Sequence, residues 1–235
     1  MRHVRNAEWG TRNSRASLLV RVPSSALLAI ALCVPLHAQD PWPILDRASV
    51  AYDSVHSLAA DFVQTITNPL VGEPDTTRGR LYQTRPNSFA MRFTAPRGDR
   101  IVADGKYLWL FTPSTTPGQV IRTPIPTVGT GPNLIGQFVD RPRDRYRARY
   151  VGVDTLGAEG IADGIALDPK DPSKLPYRGA VIWVARSDGL VRRLEIAEAS
   201  GQERTVELRR LDVNGVVSPR EYKFTVPAGV HVVDQ

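Results

Sequence analysis

Between residues 79 and 111, apolar and polar residues alternate in short runs, a pattern that predicts four β-strands. Three turn signals separate these runs: residues 85–87, 96–98 and 104–105. The first two contain a proline, which cannot donate to a sheet ladder, and the third is Asp-Gly, which favours a tight hairpin. The segment is therefore expected to form four consecutive strands around which the rest of the chain is arranged.

Six large apolar side chains of this segment occupy alternate positions of two predicted strands. They are Phe89, Met91, Phe93, Tyr107, Trp109 and Phe111. Because successive side chains of a strand point to opposite sides of the sheet, alternate residues of one strand share a face. An aromatic face of this size needs another part of the chain, or a ligand, to cover it.

The remaining pattern predicts one N-terminal helix and a long antiparallel sheet. Residues 41–57 follow an Asp-Pro start signal and carry apolar residues at helical spacing, whereas residues 68–77 are expected to form a loop. Further strands are predicted at residues 58–67, 119–122, 146–154, 160–167, 177–186, 190–199, 203–213 and 216–225. Since no long helix separates these strands, we expect a mainly β protein of about ten or eleven antiparallel strands, a sheet long enough to curl.

Residues 112–133 interrupt this pattern with five prolines and three glycines. Leu134, Ile135 and Phe138 then follow at helical spacing. A short apolar helix on a proline-rich tether, including residues 124–132, would be poorly anchored in a core, so a movable lid is the better interpretation.

Residues 1–38 have the order of a secretory signal peptide. Five arginines lead into an apolar run at residues 24–36, and Ala38 precedes a polar stretch. The run is too short to cross ~30 Å of hydrocarbon. We expect export, cleavage near Ala38 and a single domain of residues 39–235. Lipidation at Cys33 is the alternative, although Leu32 is larger than the residue that normally precedes a lipid-modified cysteine.

The signal segment accounts for most of the positive charge. The chain has 30 Lys/Arg and 24 Asp/Glu; residues 1–38 hold five and one of these, which leaves 25 and 23, a net charge of +2. A nucleic-acid partner needs a clustered basic patch, so we expect none. Residues 141–149 carry arginine at every second position. We interpret this run as a solvated strand edge that discourages aggregation, with docking to an acidic partner or anionic lipid as the alternative.

Residues 39–235 contain no motif for catalysis or metal binding. They lack cysteine, and the histidines, His56 and His231, are far apart and have no neighbours at ligand spacing. A nucleophile elbow, a phosphate-binding loop and a zinc-protease motif are all missing. The sequence thus predicts a binding protein without a cofactor or metal, with a periplasmic hydrolase of lipid or glycan as the rival.

Three motifs, in order, resemble the LolA family of periplasmic outer-membrane lipoprotein carriers. They are Gly79-Arg80-Leu81-Tyr82-x-x-Arg85-Pro86-Asn87-x-Phe89, then Ala103-Asp104-Gly105-Lys106-x-Leu108-Trp109-x-Phe111-x-Pro113, and finally Phe224-Thr225-x-Pro227-x-Gly229-Val230-x-Val232. The resemblance covers essentially all of residues 39–235. It implies an incomplete, unclosed antiparallel β-barrel with a helical lid over an apolar cavity.

The resemblance also implies a role in the periplasm. Carriers of this family take acylated lipoproteins from an inner-membrane ABC transporter and pass them to an outer-membrane acceptor; we expect a monomer. Arg85 stands at the position of the family's lid-latching arginine, which donates to lid carbonyl groups, and the six aromatic and methionine side chains would line the cavity. Met91 departs from the family's usual tryptophan, which leaves the cavity size open. An outer-membrane acceptor or a periplasmic lipid sensor of the same fold is the alternative.

Overall fold

The protein, described here by a computed structural model over residues 39–70, 72–125 and 133–235, is built on a twelve-stranded sheet. The predicted signal peptide, Cys33 and the tether residues 126–132 lie outside the described residues. The strands are β1 Ser57–Thr67, β2 Pro74–Thr84, β3 Ser88–Ala95, β4 Arg97–Asp104, β5 Tyr107–Phe111, β6 Gln119–Pro124, β7 Tyr146–Thr155, β8 Ile161–Pro169, β9 Tyr177–Ala185, β10 Val191–Glu198, β11 Glu203–Val213 and β12 His231–Asp234.

The strands follow the order β12-β6-β5-β4-β3-β2-β1-β11-β10-β9-β8-β7. Pairing of β1 with β11 joins the two halves of the chain, and β12 pairs with β6 in the parallel direction. Side chains from β1–β4 and from β8–β11 contact one core, so the sheet curls around it. Within the described ranges the end strands β7 and β12 do not pair, which confirms the predicted unclosed barrel.

Within the described residues three α-helices accompany the sheet: α1 Trp42–Asp53, α2 Gly136–Val139 and α3 Pro142–Arg145. Helix α1 confirms the predicted helix but is shorter than residues 41–57, because it begins at Trp42 and ends at Asp53; it buries Leu45, Ala48 and Tyr52 in the concave core. None of the helices in the described part of the chain has the length and hydrophobicity needed to span a membrane.

Strands β2 to β5 confirm the four strands and three turns predicted for residues 79–111. The prediction was wrong at the start of β2, because residues 74–77 are strand rather than loop and pair with the second half of β1. Proline is accepted there because it stands at the first position of the strand.

The prediction of a strand at residues 216–225 was also wrong. Asn214 accepts a hydrogen bond from the His56 amide at 2.7 Å, so the expected hairpin turn instead ties the end of β11 to the start of β1. A 3₁₀ helix, Pro219–Tyr222, follows. Arg92 donates to the carbonyl groups of Arg220 and Glu221, which holds this segment across the sheet by side-chain contacts rather than by a ladder. The prediction of an entirely antiparallel sheet is therefore wrong at β12, which follows this segment and pairs with β6 in the parallel direction.

The curled sheet has an apolar cluster on each face. The concave face carries the main core, which includes α1 and α2. The convex face carries a smaller cluster that the C-terminal segment covers, and Phe224 stacks on Trp109 with ring centroids 5.1 Å apart. The two faces are consequently occupied by different parts of the chain.

Candidate ligand-binding cavity

A cavity of about 720 Å³ opens on the concave side of the sheet. This volume lies within the ~300–1,000 Å³ usual for small-molecule sites. Its apolar wall consists of side chains from β3 to β6, β10 and the lid, among them Phe89, Met91, Ile101, Leu108, Leu134 and Ile196. A wall of this chemistry favours hydrocarbon over polar solutes.

The structure places the three residues of β3 on the concave face, as the alternation predicted. Phe89 and Met91 line the cavity, and both are buried. Phe93 lies on the same face but packs edge-on against Phe62, with centroids 5.1 Å apart, and is not among the lining residues.

The interpretation of Tyr107, Trp109 and Phe111 as cavity residues was wrong, because they lie on the convex face. Directly paired residues of neighbouring strands share a face, and Trp109 pairs with Val102, which in turn pairs with Ala90 of the convex side. The cavity-lining residue of β5 is Leu108. The hairpin at residues 104–107 carried this information, since it pairs residue 103 with residue 108 and so sets which face each residue of β5 joins.

The predicted lid contains α2, and its apolar side chains are seated on the concave side. Ile135 and Phe138 are buried, whereas Leu134 faces the cavity. The Phe138 ring packs against the rings of Tyr177 and Tyr146, with centroids 5.4 and 6.3 Å apart. The lid therefore packs against a small group of aromatic rings at the edge of the cavity.

Two side chains next to the lid hold one of its carbonyl groups. Arg145 donates from Nη1 to the carbonyl oxygen of Gln137 at 2.7 Å, and the Tyr146 hydroxyl donates to the same oxygen at 2.9 Å. Burial raises the pKa of Tyr146 well above its ordinary value, so the hydroxyl remains protonated and able to donate. Sequence reasoning missed this role of Arg145, which belongs to the arginine-rich run and lines the cavity.

Arg85 lies beside the lid, but its hydrogen bond goes to helix α1. It donates from Nη2 to the carbonyl oxygen of Tyr52 at 2.6 Å, and its guanidinium lies 5.1 Å from the centre of the Tyr52 ring. The two residues line a crevice of about 260 Å³ together with Asn133 and the lid residues Gly136 and Val139. The described contacts therefore place Arg85 next to the lid without a bond to a lid carbonyl.

Tyr52 connects Arg85 to the lid. Its hydroxyl donates to Oδ1 of Asn133 at 2.8 Å, and the same oxygen accepts from the Gly136 amide at 2.7 Å, at the start of α2. Burial raises the pKa of Tyr52, which keeps this hydroxyl protonated. The result is a chain of contacts from Arg85 through Tyr52 and Asn133 to the lid, of which the sequence indicated only the first member.

The other arginines of residues 141–149 lie outside the cavity. Arg143 pairs with Asp46 of α1 and lies over the Trp42 ring. Arg147 and Arg149 are exposed on β7, an edge strand, where charged side chains discourage pairing with another chain.

The described residues contain no group of histidine, cysteine and carboxylate side chains that could hold a metal ion. Both His56 and His231 are exposed. The site that the structure does assemble is the cavity with an apolar wall beside helix α2.

Comparison with known proteins identifies relatives over most of the chain. A family model described as outer membrane lipoprotein carrier protein LolA matches residues 53–225. An outer-membrane lipoprotein carrier protein of Pectobacterium atrosepticum is 28% identical over 183 residues, covering 78% of this chain and 84% of that protein. One from Salmonella paratyphi B is 28% identical over 211 residues, covering 88% and 97%. Among solved structures, an uncharacterized conserved protein from Thermus thermophilus shares the fold with a TM-score of 0.51 at 15% identity, covering 84% of this chain and 100% of that one.

Proposed function

The chain belongs to the LolA family of outer membrane lipoprotein carrier proteins, and we propose that it shields the acyl chains of lipoproteins in its concave cavity while carrying them across the periplasm. The observation that carries this proposal is the cavity of about 720 Å³ with an apolar wall beneath a small helical lid. A binding site of this kind needs no cofactor, and the cargo would leave chemically unchanged.

The energetics of acyl chains require a carrier that works by direct transfer. Burying an acyl chain contributes ~0.8 kcal/mol per methylene group. The escape of a long acyl chain from an apolar site into water is therefore too slow to be useful. Cargo must pass from one apolar surface to the next. We propose an ABC transporter of the inner membrane as the donor and an outer-membrane acceptor as the recipient, each docking at the mouth of the cavity.

The lid provides a means of release. In the closed state its anchors are a few hydrogen bonds, each worth ~1 kcal/mol, through Gln137 and Asn133. Cargo that displaces the lid must break these bonds, so the lid competes with the cargo and lowers its affinity. Anchors of this modest strength permit loading and still favour unloading at the acceptor.

Export of the protein can be tested at its N-terminus. We expect the exported form to begin at Gln39 or within a few residues of it, because the basic, apolar and Ala38 segments follow the order of a cleaved signal peptide. N-terminal sequencing of the periplasmic protein checks this. Incorporation of labelled palmitate at Cys33 would instead indicate a lipid-anchored acceptor of the same fold.

The carrier proposal itself is tested by what the protein holds. Purified from the periplasm of cells that express the full chain, it should contain acylated peptides or proteins detectable by mass spectrometry. It should also bind a neutral apolar fluorophore that a diacylated lipopeptide displaces. If neither lipopeptides nor other acyl lipids displaced the fluorophore, the proposal would be contradicted.

A further inference from the structure

Three neighbouring strands of the cavity wall, β1, β11 and β10, each change from apolar to polar, at positions that are staggered from strand to strand: Gln64 pairs with Val206, and Arg204 pairs with Ile196. On β1 Phe62 is followed two positions later by Gln64, on β10 Ile196 is followed by Glu198, and on β11 Val206 is preceded by Arg204. Since residues two apart on a strand share a face, all three polar side chains point to the same side as the apolar ones before them. Gln64, Glu198 and Arg204 all line the cavity, which therefore has a polar end.

The three side chains are connected by hydrogen bonds. Arg204 donates from Nε to a carboxylate oxygen of Glu198 at 2.8 Å and pairs with it through Nη2 at 2.6 Å. Arg204 also donates from Nη1 to Oε1 of Gln64 at 3.0 Å. The Gln64 amide is oriented in turn by donating to Thr77 at 3.3 Å. Gln64 is only 6% exposed, so the guanidinium is held against a buried part of the wall.

Arg204 retains unused capacity to donate. A guanidinium group has five N–H donors, and the contacts within the described residues use one on each of its three nitrogens. One N–H on Nη1 and one on Nη2 remain, and the side chain is 30% exposed. These two donors are available to an acceptor that enters the cavity.

The charge balance selects the kind of acceptor. Glu198 neutralises Arg204, so the pair carries no net charge and offers little attraction to an anion. Arg145, the other arginine in the wall, lies beside the lid and donates to Gln137. A neutral carbonyl oxygen suits the two donors of Arg204, because it accepts hydrogen bonds without needing a counter-charge.

We propose that Gln64, Glu198 and Arg204 form a polar subsite that binds the ester or amide carbonyl groups of an acylated glyceryl headgroup. This inference rests on the proposed carrier function. Acyl chains that lie against the apolar wall bring their linking carbonyls to the three polar side chains at which that wall ends. The subsite thereby favours neutral acylated glycerides, whether part of a lipopeptide or a free lipid, over free fatty acids.

Displacement of a bound neutral fluorophore, N-phenyl-1-naphthylamine, tests this subsite. The competitors are an N-palmitoyl, dipalmitoyl-glyceryl-cysteinyl peptide, dipalmitoylglycerol and palmitate, added to the protein purified from cells that express the full chain. Arg204→Met should weaken the lipopeptide by about tenfold, since hydrogen bonds to a charged donor are lost, and should not strengthen palmitate, because Glu198 is left without its neutralising partner. The matched control is Arg122→Met, because Arg122 is 32% exposed, is paired with Asp234 and lies over the rings of Tyr107 and Trp109 on the convex face, so that it does not line the cavity.

The outcomes separate the two levels of the proposal. If Arg204→Met weakens both the lipopeptide and dipalmitoylglycerol, the subsite binds the ester carbonyls. If it weakens the lipopeptide alone, the subsite binds the amide carbonyl. Either result supports the subsite. Equal displacement from wild type, Arg204→Met and Arg122→Met would overturn the subsite while leaving the carrier function intact. A wild-type protein that binds the fluorophore but releases it to none of the three competitors would contradict the carrier function itself.

A second variant covers the case in which Arg204→Met does not fold. Glu198→Gln keeps the Arg204 side chain but removes the charge that neutralises it, so palmitate should compete several-fold better than against wild type. The lipopeptide, which is neutral at its linkages, should gain no such advantage. An unchanged preference for palmitate in Glu198→Gln would contradict the role assigned to this pair.

Discussion

Arg85→Leu is expected to fold normally and to hold its cargo more tightly, with loading intact and release impaired. Arg85 is exposed, so its loss should have little effect on global stability. It does, however, fix Tyr52, which bonds to the lid through Asn133. If these contacts stabilise the closed, cargo-free state, their loss shifts the population towards the open state by roughly five- to hundredfold, equivalent to ~1–3 kcal/mol. The apparent affinity for cargo rises by the same factor.

Transfer of a fluorescent lipopeptide from the loaded protein to acceptor vesicles measures this effect. Slower transfer by Arg85→Leu, together with cargo retained on the protein purified from cells, is the expected result. Tyr52→Phe is a narrower variant, because it removes only the hydroxyl bond to Asn133 and should produce a smaller change in the same direction. Thermal unfolding supplies the control for folding.

Arg145→Leu distinguishes the two lid anchors. Arg145 donates directly to the lid carbonyl of Gln137, which is the type of contact that the family resemblance assigned to Arg85. If Arg145→Leu retained cargo and Arg85→Leu did not, Arg145 rather than Arg85 would be the residue that holds the lid closed. Loss of loading in Arg85→Leu, or its unfolding, would mean that Arg85 is a structural residue.

The fold could be predicted because its signals are local. Alternation along each strand and the turn residues between strands identified β1 to β5 and β7 to β11 to within a few residues. What failed depends on distant contacts. The conformation of residues 216–225 depends on the hydrogen bond between Asn214 and His56 and on the bonds from Arg92 to carbonyl groups of the segment. In each case the partners are more than 100 residues apart in sequence.

The candidate site was predictable only in part for the same reason. Spacing predicted the apolar side chains around α2 and the concave residues of β3, and the family resemblance predicted a role for Arg85. The partners of these residues belong to other elements: Tyr52 lies on α1, Asn133 precedes α2 and Arg145 ends α3. A pattern along the chain does not report such contacts, and Arg145 in particular could not be distinguished from its neighbours in a run of surface arginines.

The assignment of faces on β5 leads to the second large effect. Leu108→Glu is expected to abolish binding of the apolar fluorophore and of acyl cargo, because Leu108 lines the cavity and a carboxylate there would have to lose its water to contact hydrocarbon. A drop in affinity of at least about a hundredfold is expected, since an unpaired charge opposes burial by several kcal/mol. Leu108 is partly exposed, so the variant should still fold.

Tyr107→Glu is the matched control, since it introduces the same charge at the adjacent residue of the same strand. Tyr107 belongs to the convex cluster and lies near Lys106 and Arg122, which can accommodate a carboxylate. Binding of fluorophore and lipopeptide, measured by titration, should therefore stay close to wild type. If instead Tyr107→Glu lost binding and Leu108→Glu retained it, the cavity would lie on the face that the first interpretation of β5 favoured. The carrier would then have to bind its cargo beneath the C-terminal segment.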